Sequence, residues 1–322
     1  MGIPVSVIGG YLGAGKTTLV NHLLRNANGR KLAVLVNEFG ELPIDADLIE
    51  ADDGDMISIA GGCICCSYGS DLVGALMELP ERMPNMDGML IEASGVALPG
   101  GIVSALSLLP DYDRASVFVL ADAETVRERG EDKYLADTVI RQLQEADFVA
   151  LNKIDVVSGE TLQATTAWIH QVAPQAEVLA TEQSQLPSDL VLEWPAANMH
   201  KHADDAHHDH CHEDGHHHHR HHVEHDVYIT WRAQALESVS PTQVAEQLAD
   251  ERSGLLRAKG FMTDAAGEKV LLQVVGRRFE VTPTTADVGD GIVCIGPDAA
   301  IDHEFLATCL RPYSVDETTA EH

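Results

Sequence analysis

The sequence predicts a doubly wound α/β domain with a mainly parallel sheet, followed by a smaller α+β domain. Before residue 200, apolar runs alternate with helical patterns, the later runs following at intervals of about 30 residues. These runs are continuously apolar, which is typical of strands that are covered on both faces. After residue 226 the pattern changes, and the first run there alternates like a half-buried strand. The first part therefore indicates a parallel sheet and the second a largely antiparallel one.

The strands of the first domain are predicted from five apolar runs, at residues 3–8, 31–36, 88–93, 116–121 and 148–152. A glycine-rich loop follows the first run, and a helix is predicted from about Lys16 to Leu24. A second clear helical pattern covers residues 135–146. Alternating β and α units of this kind favour parallel pairing with crossover helices.

The second domain begins with the alternating run 227–231. A helix over 240–250 is predicted because Ser240 can cap it and Pro241 suits its first position. Further strands are predicted at 254–262, 269–276, 277–283 and 291–296, and a helix at 304–310. The chain after Pro312 is expected to fray.

A histidine-rich segment separates the two parts. Residues 200–225 hold 13 of the 17 histidines and almost no large apolar residue. Such a segment cannot offset its ordering entropy by burial, so it is interpreted as a linker. The predicted organisation is a first domain over 1–195, a linker over 196–226 and a second domain over 227–322.

Charge and hydropathy exclude several function classes. The chain of 322 residues carries 51 acidic and 21 basic side chains, a formal net charge of −30. The negative electrostatic field of such a chain disfavours binding to nucleic acid or to anionic membranes, and it favours binding to cations or to basic protein surfaces. No apolar run approaches the ~18–20 residues of a spanning helix, and the first residues do not resemble a signal peptide. A cytoplasmic location is expected, and in a reducing compartment the clustered cysteines indicate a metal site.

A phosphate-binding loop is the first strong motif. Residues 10–17, GYLGAGKT, match G-x-x-x-x-G-K-[ST] between a predicted strand and a predicted helix. Backbone N–H groups of such a loop surround phosphate oxygens, and Lys16 reaches the β- and γ-phosphates. The Thr17 hydroxyl is the expected Mg²⁺ ligand. The predicted nucleotide-binding positions here are Gly10, Gly13, Ala14, Gly15, Lys16 and Thr17.

A guanine-reading motif, Asn152-Lys153-Ile154-Asp155, ends the fifth predicted strand. An aspartate can accept hydrogen bonds from N1–H and the 2-amino group of guanine, a pair of donors that adenine lacks. The carboxyl ends of the strands are where open α/β sheets bind ligands, so Asp155 is predicted to select guanine. An incidental loop is the alternative.

Glu92 ends the third predicted strand, where an acid can hold Mg²⁺ through water or orient the attacking water. The predicted catalytic residues are Lys16, Thr17 and Glu92. The following Ser94 and Gly95 resemble a loop that senses a γ-phosphate. An ordinary carboxylate at a strand end is the alternative.

Three cysteines, Cys63, Cys65 and Cys66, lie within four residues and can converge on one ion. Thiolates prefer soft or borderline metals such as Zn²⁺, Cu(I) or Co²⁺. Buried small residues or a redox pair are the alternatives. Cys294 and Cys309 are interpreted as core residues, and Cys211 as a further ligand within the histidine run.

Two further segments carry candidate metal ligands. Asn37 to Glu41, NEFGE, follow the second predicted strand, and their carboxylates could reach Mg²⁺ or the cysteine site. The histidines from His200 to His225 are neutral at pH 7 and can bind Zn²⁺, Ni²⁺ or Co²⁺ weakly. An exposed acidic turn and a merely solvated linker are the respective alternatives.

Taken together, these motifs resemble the CobW-type family of P-loop GTPases, which includes zinc-regulated metalloprotein activators and activators of nitrile hydratase. The matching segments, in chain order, are GGYLGAGKTT, NEFGE, GGCICC, IEASG and NKID, then LLRAKGF and LLQVVG beyond the linker. The resemblance implies a P-loop NTPase domain with slow intrinsic GTP hydrolysis, a smaller C-terminal domain, and delivery of a metal to a client protein.

The resemblance also assigns roles to single positions. It places Thr18 beside Lys16 and Thr17 in the phosphate loop, and Asn152 and Lys153 beside Asp155 in the guanine reader. It places Cys63, Cys65 and Cys66 in the family's metal motif, with Glu41 as a neighbouring ligand. The complete ligand set stays open, because Val36 stands where some relatives carry an acidic residue.

The leading hypothesis is a GTP-hydrolysing metallochaperone with GTP, Mg²⁺ and Zn²⁺ or Co²⁺ as cofactors, and a client metalloprotein as partner. A histidine-rich storage protein with regulatory GTP binding is the main alternative. A GTP-dependent activase that remodels its client without carrying metal is the third. The physiological metal, the client and a nucleotide- or metal-dependent homodimer are left open by the sequence.

Overall fold

A computed structural model describes residues 2–36, 56–58, 70–192, 228–286 and 288–312. The chain divides into two compact units, Met1–Pro195 and Ala196–His322, and each is described by itself. The predicted linker over 196–226 lies outside the described residues, so the three-part organisation stays a prediction.

The first unit alternates strands and helices. Its strands are β1 (Val5–Gly10), β2 (Leu32–Val36), β3 (Met56–Ser58), β4 (Gly88–Glu92), β5 (Ser116–Asp122), β6 (Phe148–Asn152) and β7 (Glu177–Thr181). Its helices are α1 (Lys16–Arg25), α2 (Ser70–Arg82), α3 (Pro99–Leu106), α4 (Val126–Glu131), α5 (Ala136–Gln144), α6 (Gly159–Val172) and α7 (Ser188–Val191). A short 3₁₀ helix, Ile154–Val156, follows β6.

The strands form one parallel sheet in the order β3-β2-β4-β1-β5-β6-β7. Every residue of β1, β2, β4, β5 and β6 is buried, which explains their continuously apolar sequences. The parallel α/β prediction is confirmed. Because β1 is the central strand, the loop that follows it opens at the middle of the sheet's carboxyl edge.

The second unit contains β8 (Tyr228–Ala235), α8 (Pro241–Leu248), β9 (Arg257–Thr263), β10 (Lys269–Val275), β11 (Arg278–Pro283), β12 (Gly291–Pro297), α9 (His303–Leu306) and β13 (Leu310–Pro312). Short 3₁₀ helices cover Glu251–Ser253 and Asp298–Ala300. The described strands form an antiparallel sheet in the order β11-β10-β9-β12-β8-β13. The predicted α+β domain is confirmed.

Capping explains the start of α8. The Ser240 side chain accepts a hydrogen bond from the Gln243 N–H, and Oε1 of Gln243 accepts one from the Ser240 N–H. This reciprocal pair satisfies two backbone donors that the helix leaves unpaired. The helix therefore begins at Pro241, as the sequence predicts.

The prediction of a helix over 304–310 is wrong in its second half. The helix α9 begins at His303, where Asp302 caps it, and ends at Leu306. Leu310 then pairs with Ala235 of β8 as the first residue of β13. Pairing with an existing sheet overrides the helical pattern there. None of the helices in the described part of the chain has the length and apolar character needed to cross a bilayer.

Candidate functional site

The candidate site lies at the carboxyl edge of the parallel sheet. The loop from Tyr11 to Gly15 leaves β1, which lies between β4 and β5. Glu92, Asp122 and Asn152 are the last residues of β4, β5 and β6. Parallel strands bring these termini to one edge, so residues that are far apart in sequence meet around the loop.

The loop conformation depends on its glycines. Gly10, Gly13 and Gly15 have φ angles of 127°, 77° and 108°. Gly15 also packs so closely that a Cβ atom would overlap the side chains of Ser184 and Asn152. Glycine is therefore required at this position both by its backbone angle and by its neighbours.

The start of α1 is built to receive an anion. It begins at Lys16, and no side chain in the described part of the chain caps it. The N–H groups at a helix start and the helix dipole both favour negative charge there. The buried Lys16 side chain places its Nζ 3.4 Å from the Tyr11 carbonyl, so the amine lies across the loop. Thr18 is exposed beside it.

Thr17 and Glu92 meet directly. The Thr17 hydroxyl donates a hydrogen bond of 2.9 Å to Oε1 of Glu92, whose side chain is buried. The fold thus brings together two predicted site residues that lie 75 positions apart in sequence. A hydroxyl and a carboxylate together offer the oxygen donors that a hard cation such as Mg²⁺ prefers.

Asn152 ties the loop to a second segment. Its Nδ2 donates to the Ala14 carbonyl at 2.9 Å and to Ser184 Oγ at 2.8 Å, and its Oδ1 accepts from the Ser184 N–H at 2.8 Å. Ser184 Oγ in turn donates to the Gly15 carbonyl at 3.0 Å. Asn152 and Ser184 are both buried, so these bonds form a shielded network beneath the loop.

Lys153 and Asp155 follow on the same edge. Lys153 has a φ of 63° and directly precedes the short 3₁₀ helix that carries the exposed Asp155. Its Nζ donates to Asp122 Oδ2 at 2.7 Å, and Asp122 Oδ1 accepts from the Glu124 N–H. This ion pair fixes the turn from which Asp155 projects.

The sequence prediction missed Ser184 and Asp122. Ser184 follows β7, a strand in which only two of the five residues are buried, so no continuous apolar run marks it. Gln183 and Ser184 both have positive φ angles, of 50° and 59°. Consecutive non-glycine residues in this region are uncommon and indicate a turn held by its surroundings.

Several predicted metal ligands lie outside the described residues. These are the NEFGE segment with Glu41, the cysteines Cys63, Cys65, Cys66 and Cys211, and the histidines from His200 to His225. Within the described ranges, no group of three or more histidine, cysteine, aspartate or glutamate side chains could hold a metal ion. Cys294 and Cys309 are buried in the second unit, as expected for core residues.

Two family models match the chain. The CobW/HypB/UreG nucleotide-binding domain matches residues 4–180. The cobalamin synthesis protein CobW C-terminal domain matches residues 228–311. The two matches cover the two units on either side of the histidine-rich segment.

Similar proteins carry names that refer to zinc. A zinc chaperone CobW of Pseudomonas aeruginosa is 34% identical, over 86% of this chain and 82% of its own length. A zinc-regulated GTPase metalloprotein activator 1 of Dictyostelium discoideum is 26% identical, over 80% of this chain and 62% of its own length. Among solved structures, Zn(II)-bound YjiA GTPase from E. coli matches with a TM-score of 0.43 and 23% identity, covering 95% of this chain and 98% of that one.

Proposed function

The chain belongs to the CobW/HypB/UreG family of nucleotide-binding proteins, and from that premise we propose that it is a GTP-hydrolysing metallochaperone. In this proposal Cys63, Cys65 and Cys66 bind Zn²⁺ or Co²⁺, and the metal is delivered to a client metalloprotein. Hydrolysis by the isolated chain is slow, since the sequence places no arginine finger or glutamine by motif.

One observation carries the nucleotide part of the proposal. The network of Asn152, Ser184 and the Ala14 and Gly15 carbonyls joins the NKID segment to the phosphate loop. A base held at Asp155 and phosphates held at the start of α1 would therefore occupy one continuous site. The residues proposed to contact nucleotide are Gly10, Gly13, Ala14, Gly15, Lys16, Thr17, Thr18, Asn152, Lys153 and Asp155.

The residues around Thr17 fit a magnesium ion. Thr17 Oγ1 and the Glu92 carboxylate lie 2.9 Å apart and both offer oxygen. Bound there, Mg²⁺ would neutralise charge on the phosphates during transfer. Thr17 would contact the ion, and Glu92 would hold it through water or orient the attacking water.

Sheet topology supports a link between the nucleotide and the cysteine motif. Cys63 follows β3, which pairs with β2, and β2 pairs with β4, the strand that ends at Glu92. All three strands are parallel, so β3 ends at the edge of the sheet where the phosphate loop lies. The names of the relatives above support zinc as the cargo.

The GTPase assignment is tested by hydrolysis of GTP, ATP and xanthosine triphosphate. We expect the wild type to prefer GTP strongly over ATP, because adenine would leave the Asp155 carboxylate unpaired. Asp155→Asn should weaken the binding and turnover of GTP. It should improve those of xanthosine triphosphate, because the 2-oxo group of that base can accept a hydrogen bond from the asparagine amide. Asp137→Asn, an exposed change on α5, is the matched control. Equal turnover of ATP and GTP by the wild type would contradict the assignment.

The histidine content favours a second candidate, a metal store with regulatory GTP binding. The segment 200–225 holds 13 of the 17 histidines. Stoichiometry separates the two functions. A store binds many ions per chain, whereas a chaperone binds one ion tightly and releases it after hydrolysis.

A further inference from the structure

The loop that follows Glu92 is held in place by a neighbouring helix. This β4–α3 loop, residues 93–98, runs from the end of β4 to the start of α3. It contains Ser94 and Gly95, directly after the acid that contacts Thr17. Its position therefore affects the part of the site where a γ-phosphate and an attacking water would lie.

Gln142 on α5 makes the main connection. Its side chain is 1% exposed, and its Nε2 donates to the Gly95 carbonyl at 3.2 Å and to the Ala97 carbonyl at 2.8 Å. A glutamine amide has two N–H donors, so both are used on this one loop. Removing them would leave two backbone carbonyls without these buried partners, which is costly.

A second contact lies one turn further along the chain. Oε2 of Glu145, the residue directly after α5, accepts a hydrogen bond of 2.8 Å from the Gly100 N–H in the first turn of α3. Side chains at i and i+3 lie on one face of a helix, so Gln142 and Glu145 act on the same segment. Together they hold the β4–α3 loop and its exit.

The loop also touches the phosphate loop directly. A Cβ atom at Gly95 would lie 2.5 Å from Cδ2 of Leu12 and 3.0 Å from the backbone N of Leu12. On its other side, the Leu12 carbonyl accepts a hydrogen bond of 3.1 Å from Arg129, whose guanidinium lies 5.1 Å from the centre of the Tyr11 ring. A shift of Gly95 would therefore press on the tip of the phosphate loop.

We infer that Gln142 is a positioning residue for GTP hydrolysis, an inference that rests on the proposed function. By holding the Gly95 and Ala97 carbonyls, it sets the β4–α3 loop against the phosphate loop beside Glu92. Both hydrogen bonds from its Nε2 go to the β4–α3 loop, so Gln142 acts through the position of Gly95. Displacements of about 1 Å in such a site can reduce turnover by about 100-fold.

The test compares Gln142→Met with Gln144→Met. Methionine keeps the length of glutamine but has no N–H donor, and Gln144 is an exposed glutamine of the same helix that donates to Val172. We expect Gln142→Met to lower kcat for GTP by about 10- to 100-fold, while GDP affinity changes by less than about threefold. The preference for a non-hydrolysable GTP analogue over GDP should fall in parallel, and Gln144→Met should match the wild type in all three measurements.

Each outcome bears on a stated claim. Failure of the wild type to hydrolyse GTP would refute the proposed function itself. If the wild type is active and Gln142→Met has an unchanged kcat, the inference is overturned. An equal loss of GDP affinity and of kcat in Gln142→Met would also overturn it, because that result indicates a merely structural role. If Gln142→Met does not fold, Gly95→Ala displaces the same loop from the side of Leu12. It should show the same selective loss of kcat, and a normal kcat there would overturn the inference.

Discussion

At the scale of single residues, Asn152 connects the two halves of the candidate site. Its one amide group reaches both the Ala14 carbonyl and the backbone of Ser184. An amide carries donors and an acceptor, so no carboxylate or apolar side chain of this size could make all of these bonds. Its place in the NKID motif is therefore explained by the geometry of the phosphate loop.

Asp122 supports the turn that is proposed to read guanine in a similar way. Asp122→Asn removes the charge that accepts from Lys153 Nζ at 2.7 Å and so loosens the turn before Asp155. Charge-assisted bonds contribute about 1.5 kcal/mol or more, so we expect GDP affinity to fall by roughly tenfold, as measured by titration calorimetry.

Asp137→Asn is the control for this change. The Asp137 side chain is 84% exposed, and its Oδ2 lies 3.9 Å from Nη1 of Arg141. An exposed pair of this kind contributes little, so Asp137→Asn should leave GDP affinity unchanged. Unchanged GDP affinity in Asp122→Asn would show that the ion pair with Lys153 does not support the base site.

At the scale of helices and strands, the predictability of each element follows from burial. The strands β1, β2, β4, β5 and β6 are buried along their whole length and could be predicted from their apolar runs. β7 is partly exposed and β13 is three residues long, so neither leaves a clear pattern. The phosphate loop could be predicted because its function fixes its residue types. Gln142 could not, because its partners are backbone carbonyls, which leave no mark on the sequence.

The buried thiols of the second unit give a pH-dependent stability. Burial raises the pKa of Cys309 to about 11 from its ordinary value near 9. Burial also raises the pKa of Cys294, and the negative charge of the neighbouring Cys309 thiolate raises it further. A thiol whose pKa is higher in the folded state favours folding below pH 9. As the pH rises from about 9 to 11, the unfolded chain loses the proton first, so stability falls.

We therefore expect the free energy of unfolding of the second unit to fall by up to about 1.4 kcal/mol per pH unit per thiol above pH 9. Urea denaturation between pH 8 and pH 10.5 would measure this slope. Cys309→Ala should flatten the slope, although it also lowers the stability at pH 8 by removing a buried side chain. An identical slope in Cys309→Ala would show that Cys309 does not titrate in this way.

At the scale of the whole molecule, composition and topology favour the same interpretation. A net charge of −30 suits a protein that handles cations. The cysteine motif lies in sequence between β3 and α2, inside the unit that carries the phosphate loop, and not in the separate second unit. A metal ion bound there is therefore expected to respond to the nucleotide.

The central claim is that metal binding at Cys63, Cys65 and Cys66 is coupled to the nucleotide. Its most direct test is a competition titration with Co²⁺ or Zn²⁺ in the GTP-analogue and GDP states, with thiolate absorption of Co²⁺ as the signal. We expect the absorption to vanish in a triple Cys→Ser variant. The metal affinity should differ between the two states by about 5- to 150-fold, the usual range of coupling. Equal metal affinities in the two nucleotide states would show that the nucleotide does not control metal binding. That result would contradict the chaperone mechanism and favour metal storage.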